Sequence, residues 1–402
     1  MFLSTLLAMF FGIASGIFTG LFPGIHVNLI SVLILTFSPL LLTFTDPITL
    51  AIFIISLAIT HSFLDSLPSI YLGAPDEAQA LSVLPGHTLL HRGEGHNAIV
   101  CTVIGSYGCL ILGIILFPLF LISMNFIYPL IDNLIGHILA LVSVVMILRE
   151  KKGKRLKSLV LFIMAGMLGI IVFSIPTLRQ PLFPMLSGLF GFSIMFVSLY
   201  QKSNVPEQDL SIPLKLPFKK AAQSISAASS VGFIAAFLPG FGNSQAAIVA
   251  NEIITDPTPE SFLVLTGGIN TANMLISIGT VFMLGKARNG AIVAVKELLS
   301  EVTFQTMLLF LIIALIVGSL AALLTINLSK LFAKVMKKIN YVNLILSIIL
   351  LVTALTVIFD GPIGLLILIT STCIGLTASQ LGVGKNHLMG SLIIPVALYF
   401  LL

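Results

Sequence analysis

The chain has 402 residues, of which 57% are hydrophobic and 9% carry a formal charge, against roughly 25% charged in soluble domains. Its 20 Lys and Arg and 15 Asp and Glu are too few to cover a water-exposed surface of this size, so a soluble globular fold is excluded and lipid must cover most of the exterior. The net charge of +5 does not signify nucleic acid, because the basic residues sit in short clusters between apolar runs, where the positive-inside rule places them.

In chain order, apolar runs fall at 2–21, 25–44, 48–72, 97–124, 126–147, 158–176, 184–200, 221–238, 243–255, 262–284, 303–330, 341–358, 361–380 and 388–402. A hydrocarbon core of about 30 Å is crossed by about 20 residues, so the expected fold class is an all-α polytopic membrane protein. The first run has no basic flank and no small-residue cleavage site, and reads as a retained membrane segment. Segment 73–99 is too polar and Gly-rich to span and reads as an interfacial amphipathic stretch. Its His87, His91, Arg92, Glu94 and His96 lack the spacing of metal ligands on a helix, and no metal is expected. Cys101, Cys109 and Cys373 lie in apolar stretches without paired spacing, which predicts packing residues rather than disulfides or a zinc site. Arg149, Lys151, Lys152, Lys154, Arg155 and Lys157 crowd one loop, and Lys334, Lys337 and Lys338 mark another. Loops 149–157, 201–220 and 334–338 are expected on the cytoplasmic side.

The chain repeats itself. "GIFTGLFPGIHVN" at 16–28 lines up with "GFIAAFLPGFGNS" at 232–244, placing Gly16, Pro23, Gly24 and Asn28 over Gly232, Pro239, Gly240 and Ser244. "HSFLDSLPSIYLG" from His61 lies over "NMLISIGTVFMLG" from Asn273, and later apolar runs correspond in turn. The division expected is a first repeat at 1–200, a cytoplasmic linker at 201–220 and a second repeat at 221–402. Counting spans from the basic loops puts 76–96 inside and its counterpart 286–302 outside, so the repeats are inverted, each with a Pro-Gly-broken helix or re-entrant hairpin plus about five spans. Inverted repeats of this kind build many secondary transporters, with substrate and coupling ions held near the midplane where broken helices meet.

Pro23-Gly24 and Pro239-Gly240 interrupt runs too apolar to be surface loops, so each helix stops and restarts. Irregular backbone at membrane depth survives where protein or a water-filled cavity satisfies it. Polar groups follow each break: His26, Asn28 and Ser31 in the first half, Asn243, Ser244 and Gln245 in the second. A restarting helix offers unpaired N–H groups and the positive end of its dipole, which suit an anion; a simple Pro kink with small-residue packing is the competing reading. His61 and Asp65 are four apart on one helix face, with Ser62 and Ser66 nearby. They read either as a proton or sodium site or as an Asp–His hydrogen bond fixing two helices. The second half offers Asn270, Thr271, Asn273 and Ser277 there, without a charge. Glu252 reads as a coupling carboxylate or as a helix-end residue in the headgroup layer. An intramembrane protease is disfavoured, since Asp360 lacks a Gly-x-Gly-Asp setting and Ser193 in "GFS" has no evident His partner.

"SLPSIYLGAPDEAQALSVLPGHTLLHRGEGHNAIVCTVIGSYG", together with the twin motifs "GLFPGIHVN" and "FLPGFGNSQAAIVANE", resembles the TctA family, the large membrane subunit of the tripartite tricarboxylate transporters. The resemblance spans most of the chain. Asp76-Glu77 stands where the family has Gly-Glu, His87 where it has Tyr, and His26 where small residues are usual; with the short length, these mark a divergent branch of an archaeal kind. The resemblance implies a permease rather than an enzyme: a cation-coupled importer of carboxylates such as citrate, served by a soluble extracytoplasmic binding protein and a small membrane subunit. The expectation is a secondary active transporter of a small organic anion, a di- or tricarboxylate, working by alternating access. Substrate is assigned to Pro23, Gly24, His26, Asn28, Pro239, Gly240, Asn243, Ser244 and Asn273, and cation coupling to Asp65, His61 and Ser66. No cofactor is expected beyond Na+ or H+ as the coupling ion. Partners are the organic anion, the bilayer, the two auxiliary subunits and a second copy of the chain. The alternative is a transporter or flippase of a lipid-linked phosphate such as polyprenyl phosphate.

Overall fold

The computed structural model describes residues 2–22, 27–74, 77–132, 134–200, 206–237, 242–287, 289–336 and 341–401. The first half contains α1 (Phe2–Leu21), α2 (Val27–Thr36), α3 (Ser38–Leu41), α4 (Pro47–Leu64), α5 (Val83–Leu90), α6 (Gly95–Ile115), α7 (Phe117–Asp132), α8 (Ile135–Arg149), α9 (Arg155–Phe173), α10 (Leu182–Leu186) and α11 (Ser193–Tyr200). Then come α12 (Phe218–Phe237), α13 (Asn243–Ile253), α14 (Pro259–Leu284), α15 (Gly290–Leu299), α16 (Phe304–Met336), α17 (Tyr341–Leu381) and α18 (Gly390–Leu401). Eight helices among the described residues are long and apolar enough to cross a bilayer, and the protein is an all-α, multi-pass membrane protein.

Local chemistry sets the ends of the two longest buried helices. Asp46 caps α4 by accepting from Thr49 N, with Pro47 following; Thr258 and Ser261 form a capping box on α14, with Pro259 following. Pro at the first helical position costs no hydrogen bond, because that N–H would be unpaired anyway. At their far ends, Gly73 (φ 66°) closes the π-turn Pro68–Leu72 that prolongs α4, and Gly285 (φ 59°) closes α14. Both are left-handed positions that glycine takes without strain.

Contacts fix the directions. Gly12, Gly16 and Gly20 of α1 lie against Ser56, Thr60 and Leu64 of α4 in that order, so the two helices run parallel, with α2 between them in sequence. Gly232 of α12 meets Ala272 of α14, and Gly268 meets Ala228, so these also run parallel, with α13 between. Lys220 Nζ at the start of α12 donates to Asp256 O just beyond α13 at 2.6 Å, so α12 and α13 enter and leave at one level as a re-entrant hairpin. Gly105 of α6 faces the Val264 backbone and Gly267 of α14 the Thr102 backbone, a contact too close for any side chain. Further along, Gly113 meets Leu275, so α6 is parallel to α14. Tyr107 reaches Ser319 and His96 reaches Ser329, so α6 is antiparallel to α16. Gly318 touches Ile59 while Tyr71 donates to Ser329 O, so the span beginning with α4 runs with α16 and opposite to α14.

Two bodies emerge. One packs α1, α2, α4, α6 and α12 to α16; the other packs α8 to α11 with α17 and α18. Their principal contacts run through short segments: the 3-10 turns Glu77–Ser82 and Lys385–Met389, the π-turns Pro68–Leu72 and Ser187–Phe192, and α13. α17 is divided at Gly361 (φ 60°, ψ −150°) followed by Pro362. Its 41 residues, at 1.5 Å each, are about twice the length a bilayer requires, so each arm is a span, as the separate runs at 341–358 and 361–380 anticipate.

Two sequence expectations differ from the structure. The run 97–124 is not one helix: it breaks at Leu116 and restarts at Phe117-Pro118, because Pro118 has no N–H to continue the ladder. Segment 73–99 is not laid on an interface; Gln79, Ser82, Val83, His87, Leu89 and Leu90 are buried within the protein. Linker residue Gln208 donates to Leu90 O and accepts from Gly95 N, and Asn97 donates to Ile212 O. The linker is thus sewn to this segment.

Candidate functional site

Asp65 stands at the C-cap of α4 and is 2% exposed, inside a span where a carboxylate costs about 2.5–3.5 kcal/mol on insertion scales. Two amides offset that cost. Gln79 Nε2 donates to Oδ1 at 3.1 Å and Asn270 Nδ2 to Oδ2 at 2.7 Å; Asn270 also donates to Ser62 O at 3.2 Å. Hydrogen bonds to an ionised acceptor are about twice as strong as neutral ones.

The network continues away from the carboxylate. Asn243 Nδ2 donates to Asn270 Oδ1 at 2.9 Å, Asn273 Nδ2 donates to Asn243 Oδ1 at 2.6 Å, and Ser277 Oγ donates to Asn273 O at 2.7 Å. Asn270, Asn273 and Ser277 share a face of α14 by their i, i+3, i+7 spacing. Each amide in this row donates towards Asp65, and the row joins α4 and the Glu77–Ser82 turn of the first half to α13 and α14 of the second.

Asn243 also opens α13, where Gly242 is extended and the helix begins without a side-chain cap. Its first-turn N–H groups have no helical acceptors. Ser244 and Gln245 are buried there, 1% and 3% exposed, and Gln245 Oε1 has no partner among the described residues. This end carries the positive pole of the helix dipole.

The other assigned residues fall as follows. His61 is buried and shares a 3.0 Å hydrogen bond through Nδ1 with Thr19 Oγ1, tying α4 to α1. Ser66 donates to Phe63 O within its own helix, while Ser69 donates to Asp65 O. Asn28 is exposed near the start of α2, beside Gly290 of α15. Pro23, Gly24, His26, Pro239 and Gly240 lie outside the described residues. Gln79 was missed in the sequence, because a neutral amide in an Ala- and Leu-bearing turn carries no charge or spacing signal. Glu252 ends the returning arm and pairs with Arg149 of α8 at 2.5 Å. Among the described residues no three His, Cys, Asp or Glu side chains group as a metal site.

The family model described as the tripartite tricarboxylate transporter TctA family matches residues 6–390. An uncharacterized protein of Methanocaldococcus jannaschii is 30% identical over 407 residues, which cover 98% of this chain and 99% of that protein. No solved structure matches.

Proposed function

Since the chain belongs to the tripartite tricarboxylate transporter TctA family and is thus a transporter component, we propose that it is a permease for a small di- or tricarboxylate, coupled to Na+ or H+. The observation that carries this reading is the amide row from Asp65 to Asn273, which includes Asn243 at the N-terminus of α13. Substrate carboxylates occupy the region at that terminus, with Asn243, Ser244 and Asn273 as hydrogen-bonding ligands. Asp65 supplies the coupling. An ionised Asp65 about 6 Å from a substrate carboxylate, in an effective dielectric near 20, repels it by about 3 kcal/mol. A proton or sodium ion on Asp65 removes that penalty, so anion and cation load together.

The chain divides into inverted repeats at 1–200 and 221–402 about the linker 201–220, a division supported by the opposed directions of α4 and α14. Loops 149–157, 201–220 and 334–338 face the cytoplasm. Alternating access shifts the body of α1, α2, α4, α6 and α12 to α16 against the body of α8 to α11, α17 and α18. A small membrane subunit and an extracytoplasmic binding protein complete the system, as the family's tripartite character implies. The family match lends no support to the lipid-linked phosphate alternative.

The test is uptake of labelled citrate, succinate and malate by proteoliposomes under imposed sodium or proton gradients, with binding protein added. Gradient-driven uptake of one of them supports the proposal. Uptake indifferent to both gradients removes the coupling, and a failure of all three acids, with binding of a lipid phosphate instead, overturns the substrate class.

A further inference from the structure

The reversal that divides α17 gathers oxygen atoms that lack partners. Its first arm ends at Asp360, where Gly361 (φ 60°, ψ −150°) and Pro362 turn the chain back. A Cβ at Gly364 would lie 2.5 Å from Asp360 Cβ, 3.1 Å from Thr356 Cγ2 and 3.2 Å from Thr356 O. Eight residues along one straight helix would put Gly364 about 12 Å from Thr356, so the second arm folds against the last turn of the first, and glycine leaves a cradle that a side chain would fill. Asp360 Oδ1 accepts from Arg179 N at 2.6 Å and Gln180 N at 3.0 Å, tying the loop between α9 and α10 to this tip. Asp360 Oδ2 is buried and has no partner among the described residues. One turn earlier on the same face, Thr356 is 0% exposed and its Oγ1 is also without a partner among them. Phe183 of α10 packs edge-on against the neighbouring Phe359, with ring centres 6.1 Å apart.

The charges at this tip do not balance. A helix C-terminus is the negative pole of the helix dipole, and its last carbonyls have no intrahelical donors; Pro362 has no N–H to offer Ile358 O. Asp360 adds a full negative charge to an end that is already negative, and the two backbone N–H groups answer one of its oxygens. Arg179, the cationic residue of the loop, is exposed and leaves Oδ2 without a donor. What is missing is a cation. The oxygens on offer are those of a carboxylate, a hydroxyl and main-chain carbonyls, the donor set of hard cations and the one that helix C-terminal ends present to sodium in membrane transporters. A single carboxylate answers a single charge, which favours sodium over a divalent ion.

We propose that Asp360 Oδ2, Thr356 Oγ1 and the carbonyls ending the first arm of α17 hold a sodium ion. The ion neutralises Asp360 and the helix end together, and through Oδ1 of the same carboxylate it fixes the loop between α9 and α10 to the hairpin. Lys154 Nζ donates to Gly382 O at the far end of the second arm, about one bilayer thickness from the tip, so the site is loaded from the side opposite to the basic loop 149–157. It belongs to the body of α8 to α11, α17 and α18, away from Asp65, and does not depend on the transport reading. Sodium at Asp360 holds its own body together whether or not a substrate is bound.

The experiment is thermal unfolding of the full chain in detergent as sodium chloride replaces choline chloride at constant ionic strength and pH, with Asp65→Asn run beside wild type so that any sodium at Asp65 is removed. A ligand held only by the folded state raises apparent stability by mass action. Both proteins are expected to show a saturable rise in Tm; adding Asp360→Asn to Asp65→Asn should abolish it, and adding Thr356→Val should raise the sodium concentration at half-effect several-fold. A rise present in wild type and lost in Asp65→Asn overturns this site and leaves the coupling role of Asp65 standing. The same rise after Asp360→Asn, or none in any of the proteins, overturns it as well and leaves water at the tip. Should the Asp360→Asn protein not fold, Thr356→Val decides, and an unchanged half-effect concentration overturns the site.

Discussion

Asn270 and Asp65 come from opposite halves of the sequence, yet Asn270 Nδ2 donates to Asp65 Oδ2 at 2.7 Å with both residues buried. The helix carrying Asn270 is thereby pinned to the end of the helix carrying Asp65, and any change in charge on Asp65 is felt directly in α14. Asn243, bonded to Asn270, passes the change to the tip of the α12–α13 hairpin.

Replacing Asp65 by Asn keeps the shape and removes the charge. The variant is expected to fold and to bind carboxylate with no dependence on sodium or pH, while losing gradient-driven accumulation. Binding measured by calorimetry alongside uptake checks this, and wild-type, ion-dependent uptake by Asp65→Asn would remove Asp65 from the coupling role.

Asn270→Ala leaves Asp65 with Gln79 as its amide donor and leaves Asn243 Nδ2 without an acceptor. The loss of one charge-assisted bond costs about 1.5–3 kcal/mol, so uptake should fall at least about tenfold with a lowered Tm. Asn273→Ala, at the far end of the row, should spare stability more and substrate affinity less. Equal losses in both readouts for the two variants would argue against a row with distinct ends.

Composition alone was enough to place the chain in the all-α membrane class, and α1, α4, α9, α14 and α16 followed from apolar length. The boundary between α6 and α7 was missed because Pro118 sits within unbroken apolar sequence, where hydropathy is blind to a lost N–H. Asp65, Asn243 and Asn273 stood out as polar residues in apolar runs. Gln79 did not, and the burial of His87 was not legible either, because segment 77–90 looks superficial by composition and is buried through packing on α6 and α14. No local pattern encodes that burial.

Arg149 and Glu252 tie α8 of one body to α13 of the other at 2.5 Å, with the Arg149 side chain 61% exposed. Solvent screening limits such a pair to about 0–1 kcal/mol, so Arg149→Ala should change Tm little. Its effect should fall on transport rate, since the pair holds the returning arm of the hairpin. Arg149→Glu is expected to alter the rate, and the exchanged pair Arg149→Glu with Glu252→Arg to restore it. A double-mutant cycle on uptake rate with no coupling would show the contact to be incidental.

The α6–α14 contact gives a prediction with an internal control. Gly105 faces Val264 backbone atoms, whereas a Cβ at Gly153 meets nothing within 4 Å. Overpacking typically costs about 1–3 kcal/mol, so Gly105→Val should lower Tm sharply or abolish expression, and Gly153→Ala should leave both unchanged. A Gly105→Val protein as stable as wild type would mean that the two helices separate freely.

The stability of the fold in acid follows from His87. Its ordinary value is 6.5; burial first, then the charges of His91 and Lys385, lower it to about 3. The folded state therefore holds a neutral ring where the unfolded chain binds a proton, and stability rises with pH wherever the unfolded state binds more protons. The contribution is complete above about pH 6.5 and is lost progressively as pH falls towards 3. His387, also lowered by burial but raised in part by Glu150, acts in the same direction over a narrower window. In gluconate buffer the wild-type Tm should drop between pH 7 and pH 4, and His87→Phe, which cannot take up the proton, should lose much of that drop. Lys385 reinforces the point from above: its folded value of about 7 lies below the ordinary 10.5, so protonation between those values also favours the unfolded chain. A Tm that is flat from pH 7 to pH 4 in wild type, or an unchanged slope in His87→Phe, would show that His87 reaches solvent.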